Sequence, residues 1–99
     1  NPLADAPEPG EGPSKESREN GNYDVLFCAD LEDATIKVSV SGDMDPGYGS
    51  TSKMIAESAV CLVKDCKDLA GGIYTPAASM GKKLIERLEN NAGLIFKVE

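Results

Sequence analysis

Apolar side chains recur first at every second position and later at every third or fourth, and that switch divides the chain into strands and helices. Tyr23, Val25 and Phe27 alternate with Asp24, Leu26 and Cys28, which predicts a strand with one buried face. Ile36, Val38 and Val40 alternate with Thr35, Lys37 and Ser39, a clearer case of one dry and one wet face. Ala29 to Ala34 between them is too long for a tight turn and suits a longer antiparallel connection, so the two runs are predicted to form a hairpin. After Gly49 the period lengthens. Met54, Ile55, Ala59, Leu62, Val63 and Cys66 make one apolar stripe, widened by Ala56 and Val60, over about four turns of helix. With so little polar surface this helix is expected to be the core element, with Leu62 among its buried residues. A second helix starts at Thr75-Pro76, a capping hydroxyl followed by Pro at the first helical position. Ala77, Met80, Leu84, Ile85 and Leu88 form its apolar face, and Lys82, Lys83, Glu86 and Glu89 its polar one. Gly81 within it costs up to about 1 kcal/mol relative to Ala, which suggests close packing against a neighbour. Asn90, Asn91 and Gly93 end the helix, and Leu94 to Val98 closes the chain as a strand. The order is β-β-α-α-β, an α+β arrangement over residues 23–99.

Residues 1–22 have a different character. They hold Pro2, Pro7, Pro9 and Pro13 with five acidic residues, and apart from the prolines only Leu3, Ala4 and Ala6 are apolar. Such a segment cannot bury enough surface to offset its ordering entropy. It is expected to be a linker or a docked arm, mobile over its first dozen residues, with a turn or two of helix between Ser14 and Glu19. The chain starts Asn-Pro-Leu without Met, so it reads as a piece of something longer.

Charge and composition remove several function classes. A net charge of −7 argues against nucleic acid and anionic membrane surfaces, both of which need a basic footprint. With no His there is no imidazole base, metal ligand or triad. No run approaches the roughly 18 apolar residues that span a bilayer. Three cysteines without a framework spacing read as reduced thiols in a cytoplasmic compartment. Cys28 and Cys61 are expected to be small buried hydrophobes. Cys61 and Cys66, five apart on a helix, should point to different sides, and without His or a second cysteine pair they cannot complete a zinc site.

The candidate chemistry lies in the turn before the first long helix. Pro46 fixes φ, Gly47 and Gly49 give backbone freedom around Tyr48, and Ser50 or Thr51 offers a capping hydroxyl. Small residues before a helix can turn amides toward a phosphate or carboxylate. The spacing is neither that of a P-loop nor that of a dinucleotide fingerprint, and a tight turn accounts for the same residues. Tyr48 or Tyr74 with Lys53 as an acid–base pair is a weaker candidate, because Tyr48 and Lys53 are five apart across a helix start.

Two stretches carry a resemblance. One is Asp45-Pro46-Gly47-Tyr48-Gly49-Ser50-Thr51-Ser52-Lys53-Met54, continuing through Ala56-Glu57-Ser58-Ala59 to Cys61-Leu62. The other is Gly71-Gly72-Ile73-Tyr74-Thr75-Pro76-Ala77-Ala78, with Gly81 and Leu84-Ile85-x-Arg87-Leu88. With Pro9-Gly10-Glu11-Gly12-Pro13-Ser14 upstream, their order and spacing resemble the C-terminal region of the saccharopine dehydrogenase-like oxidoreductases, which include the bacterial trans-acting enoyl reductases. The resemblance implies a larger α/β oxidoreductase whose N-terminal Rossmann domain binds NAD(P) and whose second domain covers the substrate. This chain has no glycine fingerprint after a first strand, so the family's cofactor-binding residues have no positions here, and no residue is assigned a catalytic or metal role. Gly47, Tyr48, Gly49 and Ser50 are the substrate-cleft candidates. The implied partner is the Rossmann domain of the parent, with the hairpin extending the second domain's sheet and the last helix packing on the cofactor domain. Self-association through uncovered surface is also expected, and an acyl or polyketide-derived substrate fits the family. The rival reading is a free-standing protein interaction module without catalysis.

Overall fold

The computed structural model describes residues 4–99, so Pro2 and Leu3 of the predicted arm lie outside the described residues. The elements are α1 (Lys15–Asn20), β1 (Tyr23–Asp30), β2 (Thr35–Gly42), α2 (Gly49–Lys64), α3 (Pro76–Met80), α4 (Lys82–Asn91) and β3 (Leu94–Val98). The strands form one antiparallel sheet in the order β1-β2-β3. This is the α+β class that the alternation predicts. Register follows the pleat: Val25 pairs with Val40 and Phe27 with Val38, while Val40 also pairs with Phe96 and Gly42 with Leu94. Val25, Phe27, Ile36, Val38, Val40, Leu94 and Phe96 therefore share one face, with Leu26 and Ile95 on the other. The Leu31 amide donates to the Ala34 carbonyl at 2.7 Å and closes the hairpin.

Burial on that face is uneven. Leu94 is 3% exposed, whereas Val25 is 43% and Phe27 56% exposed, so β1 lacks the buried face expected of it. The helices explain this: α4 packs on β3 and α2 packs on α4, so their cover ends near Val40 and Phe96. The buried apolar residues fall into two small clusters, Cys61 with Cys66 and Met80, and Leu88 with Ala92 and Leu94. The Cα radius of gyration, 16.6 Å, exceeds the roughly 13 Å of a compact domain this long.

The long helix is rotated from its expected orientation. Ile55 is 70%, Leu62 45% and Val63 73% exposed, so the most apolar stripe faces outward. The inner face carries Ser50, Met54, Glu57, Ser58 and Cys61. Arg87 of α4 sets this rotation by reaching Glu57 and Asp65 at once. The aliphatic stripe has no neighbour to pack against here, so nothing opposes the rotation that these ion pairs hold.

Four local expectations also change. The second helix is two: Gly81 adopts φ +52° and separates α3 from α4. A Cβ there would meet only the Ala77 carbonyl at 3.6 Å, so the glycine serves the positive φ and not close packing. Thr75 makes no side-chain capping bond, and α3 instead opens on Pro76 alone. Cys61 and Cys66 converge, because Cys66 lies past the C-cap Asp65 and the chain turns back there. Burial and the neighbouring Cys66 push the Cys61 thiol up from its ordinary value. Cys28, expected inside, is exposed on the other face of β1.

Candidate functional site

The turn between β2 and α2 is built around a residue not singled out for chemistry in the sequence, Asp45. Its carboxylate accepts from the amides of Gly47 at 2.9 Å, Tyr48 at 3.2 Å and Gly49 at 2.6 Å. Those three bonds, the one from Gly49 foremost, and the nearby Arg18 hold the Asp45 carboxyl below the usual carboxylate range. The cap of α2 is therefore this carboxylate, in place of the expected Ser50 or Thr51 hydroxyl. The Asp45 amide donates to the Arg18 carbonyl at 3.0 Å, which ties the turn to the end of α1. A Cβ on Gly49 would fall 3.0 Å from Asp45 Oδ2 and 3.1 Å from the Arg18 carbonyl oxygen, so only glycine fits without a shift. The signal was present in Asp45-Pro46-Gly47, since an aspartate before a turn often accepts its own downstream amides.

The four candidate residues come together but face different ways. The Gly47 and Gly49 amides point at Asp45. Ser50 is fully buried, and its hydroxyl lies 2.7 Å from the Tyr23 hydroxyl, fastening α2 to β1. Tyr48 is 58% exposed and stands between two cavities of about 520 and 440 Å³. Both are walled on the far side by the arm around Gly10, Gly12 and Pro13. The arm leads into α1, whose first turn is capped by Ser14 Oγ and whose Arg18 donates to the Pro13 carbonyl at 2.8 Å. Lys15 and Arg18 line the larger cavity together with Glu11 and Glu19, so its charges are balanced.

Neither Tyr48 nor Tyr74 is paired with Lys53. The lysine reaches Asp43 at 3.4 Å, and the Tyr74 hydroxyl donates to the Ala70 carbonyl at 2.7 Å. The second feature missed in the sequence is the α2–α4 clamp. Arg87 Nε and Nη2 donate to the two carboxylate oxygens of Asp65, and Nη1 donates to Glu57 Oε2 at 3.2 Å. Asn91 donates to the same Glu57 oxygen at 3.3 Å, and Lys83 to the Asp65 carbonyl at 2.8 Å. The Arg87 bonds draw the Asp65 carboxyl down and push the guanidinium up.

No protein-family model matches this chain, and no solved structure matches it. Curated proteins do. The chain is 35% identical over 93 residues to the trans-acting enoyl reductase of Mycobacterium bovis, covering 91% of this chain and 22% of the relative. It is 36% identical over 85 residues to the trans-acting enoyl reductase of Mycobacterium ulcerans, covering 83% and 20%. This chain is similar to trans-acting enoyl reductases. A Mycobacterium tuberculosis protein to which the same activity is assigned provisionally is 39% identical over 85 residues. The chain spans about a fifth of the length of these curated relatives. A match covering 83% or more of 99 residues necessarily includes the Asp45–Ser50 turn and most of α2. Among the described residues, no helix is long and apolar enough to cross a membrane.

Proposed function

We propose that this chain is the C-terminal, non-cofactor-binding part of an NAD(P)-dependent enoyl reductase of the saccharopine dehydrogenase-like type, completing the domain that covers the substrate. The observation that carries this reading is the 35–39% identity over most of the chain to relatives about four times as long. An apolar sheet face without its own cover is what a piece of a larger domain should show.

The start of α2 does not suit the cofactor's pyrophosphate. Its first amides are already taken by Asp45, whose negative charge would repel a second anion. The nicotinamide, which supplies a hydride when bound, therefore belongs to the rest of the polypeptide. The contribution of this chain is a wall. Asp45 and the Gly49 contact hold the turn, Ser50 and Tyr23 seat it on the sheet, and Tyr48 is the candidate whose ring is free to face a substrate. The substrate class is an enoyl group, an unsaturated acyl, by similarity to the named relatives. On the rival reading the uncovered sheet face binds a separate partner and no reductase is involved.

A chimera decides between them. These residues would replace the matching fifth of the Mycobacterium tuberculosis trans-acting enoyl reductase. The expected result is reduced-nicotinamide oxidation dependent on an enoyl thioester. A folded chimera without that activity, alongside an active parent, overturns the reading.

A further inference from the structure

We propose that an amphipathic helix from the rest of the polypeptide lies beside α4 on the apolar face of β1 and β2. This rests on the reading of the chain as part of a larger protein and names what covers it.

The strand register places Val25, Phe27, Ile36 and Val38 on the same face as Leu94 and Phe96. Leu94 is packed by α4 and 3% exposed, while Phe27 on the same face is 56% and Ile36 47% exposed. The helix layer therefore covers the β3 side and stops. At its edge an open groove of about 390 Å³ runs between the strands and a wall of Pro46, Met54 and Leu88, lined by apolar residues and by Tyr23. The Tyr23 hydroxyl is already engaged by Ser50, so the groove offers a ligand's polar end no free partner there.

Size selects the occupant. Neighbouring strands lie about 4.8 Å apart, so β1 and β2 together present a strip about as wide as one helix with its side chains, roughly 10–12 Å. The uncovered run from Val25 to Asp30 is about 20 Å long, the length of three to four helical turns. A single acyl chain would cover only a fraction of that strip. A sheet face is stably buried by a packed layer, and the layer already begun here is helical. The source is set by length: relatives that match most of this chain carry about four-fifths of their residues outside the match.

The test labels the face in the chimera described above. In a Cys28→Ser background, the Phe27→Cys thiol should react with a maleimide about tenfold more slowly in the chimera than in the 99-residue chain. A photo-crosslinker on that thiol should capture a segment of the relative with apolar residues three and four apart. Equal labelling rates overturn the proposal. So does protection that appears only when an acyl thioester is added, or a crosslink to a second copy of this chain. Protection in a chimera without reductase activity would sink the functional reading and keep the helix. Activity with an unprotected thiol would do the reverse. Should the chimera fail to fold, Phe27→Asp in the 99-residue chain still decides. Its melting temperature should stay within about 2 °C of the parent chain, and a fall of about 10 °C or more would show a face already packed from within.

Discussion

Arg87 and Asp65 meet through two parallel hydrogen bonds, Nε to Oδ2 and Nη2 to Oδ1, across the gap between α4 and the end of α2. The fork matches a carboxylate as a lysine ammonium cannot. With Glu57 on the third nitrogen, one side chain fixes both the spacing and the rotation of the two helices.

Arg87→Lys should therefore lower the melting temperature although it keeps the charge, and Arg87→Met should lower it at least as far, by leaving Asp65 and Glu57 facing each other's charge. Lys82→Ala, on the exposed side of α4, should change it little. Thermal denaturation of the three variants checks this. Equal shifts at Lys82 and Arg87 would mean that the clamp does not set the helix pair.

Leu88→Ala and Leu62→Ala separate the inner from the outer face. Leu88 is 6% exposed inside the second cluster, and emptying such a site costs about 2–5 kcal/mol. Leu62 is 45% exposed on the outer stripe of α2, so its truncation should cost under about 1 kcal/mol in the 99-residue chain. Urea unfolding gives both values, and a Leu62 cost equal to that of Leu88 would return α2 to the orientation its stripe alone suggests.

That contrast shows what the sequence could and could not convey. The strands and their shared face were legible because a period of two is local and the pairing preserves it. The rotation of α2 was not legible, because it is decided by Arg87, which lies 22 residues from Asp65 and 30 from Glu57. A stripe of Ile55, Leu62 and Val63 signals burial against something, and in this segment that something is absent. Gly81 was visible as an anomaly, but only its positive φ distinguishes a break between helices from a close contact. At the turn, the small residues before α2 were visible as an anion cradle. The anion turned out to be part of the chain, the Asp45 carboxylate.

Acid should destabilise the fold through two carboxylates. Asp45 is held below its ordinary 3.8 by the amide of Gly49 first, then those of Tyr48 and Gly47, and Asp65 is held below it by Arg87. A depressed folded value means that the charged form stabilises the fold. The contribution is complete above the ordinary value and is lost as pH falls from there through the lower folded value. Asp45→Asn should flatten the acid limb of stability against pH below about 4. An unchanged limb would show that the Asp45 bonds do not persist in solution.

Alone, the 99 residues should bind neither NADH nor NADPH, because the glycine-flanked start of α2 is already capped by a carboxylate. Fluorescence titration checks this directly. Saturable binding at roughly micromolar concentration, about −8 kcal/mol, would place a cofactor site in this chain and overturn the assignment of the nicotinamide to the rest of the polypeptide.

The turn itself can be tested for shape against chemistry. Gly49→Ala brings a Cβ to 3.0–3.1 Å of Asp45, the Arg18 carbonyl and Met44, atoms held by the backbone bonds of the turn. Overpacking of this kind costs about 1–3 kcal/mol, and the loss should appear in the isolated chain without any substrate. Tyr48→Phe removes only a hydroxyl from a ring that is 58% exposed, so stability should not change. Because the turn's amides serve Asp45, the first expectation is that the turn provides shape, and that Tyr48→Phe in the active chimera leaves turnover unchanged as well. The decisive alternative is a Tyr48→Phe chimera with an unaltered melting temperature and about a tenfold loss in kcat/KM, worth about 1.4 kcal/mol in the transition state. That result would make the Tyr48 hydroxyl a substrate contact. The cavities on either side of its ring would then be the place to look for the bound enoyl group.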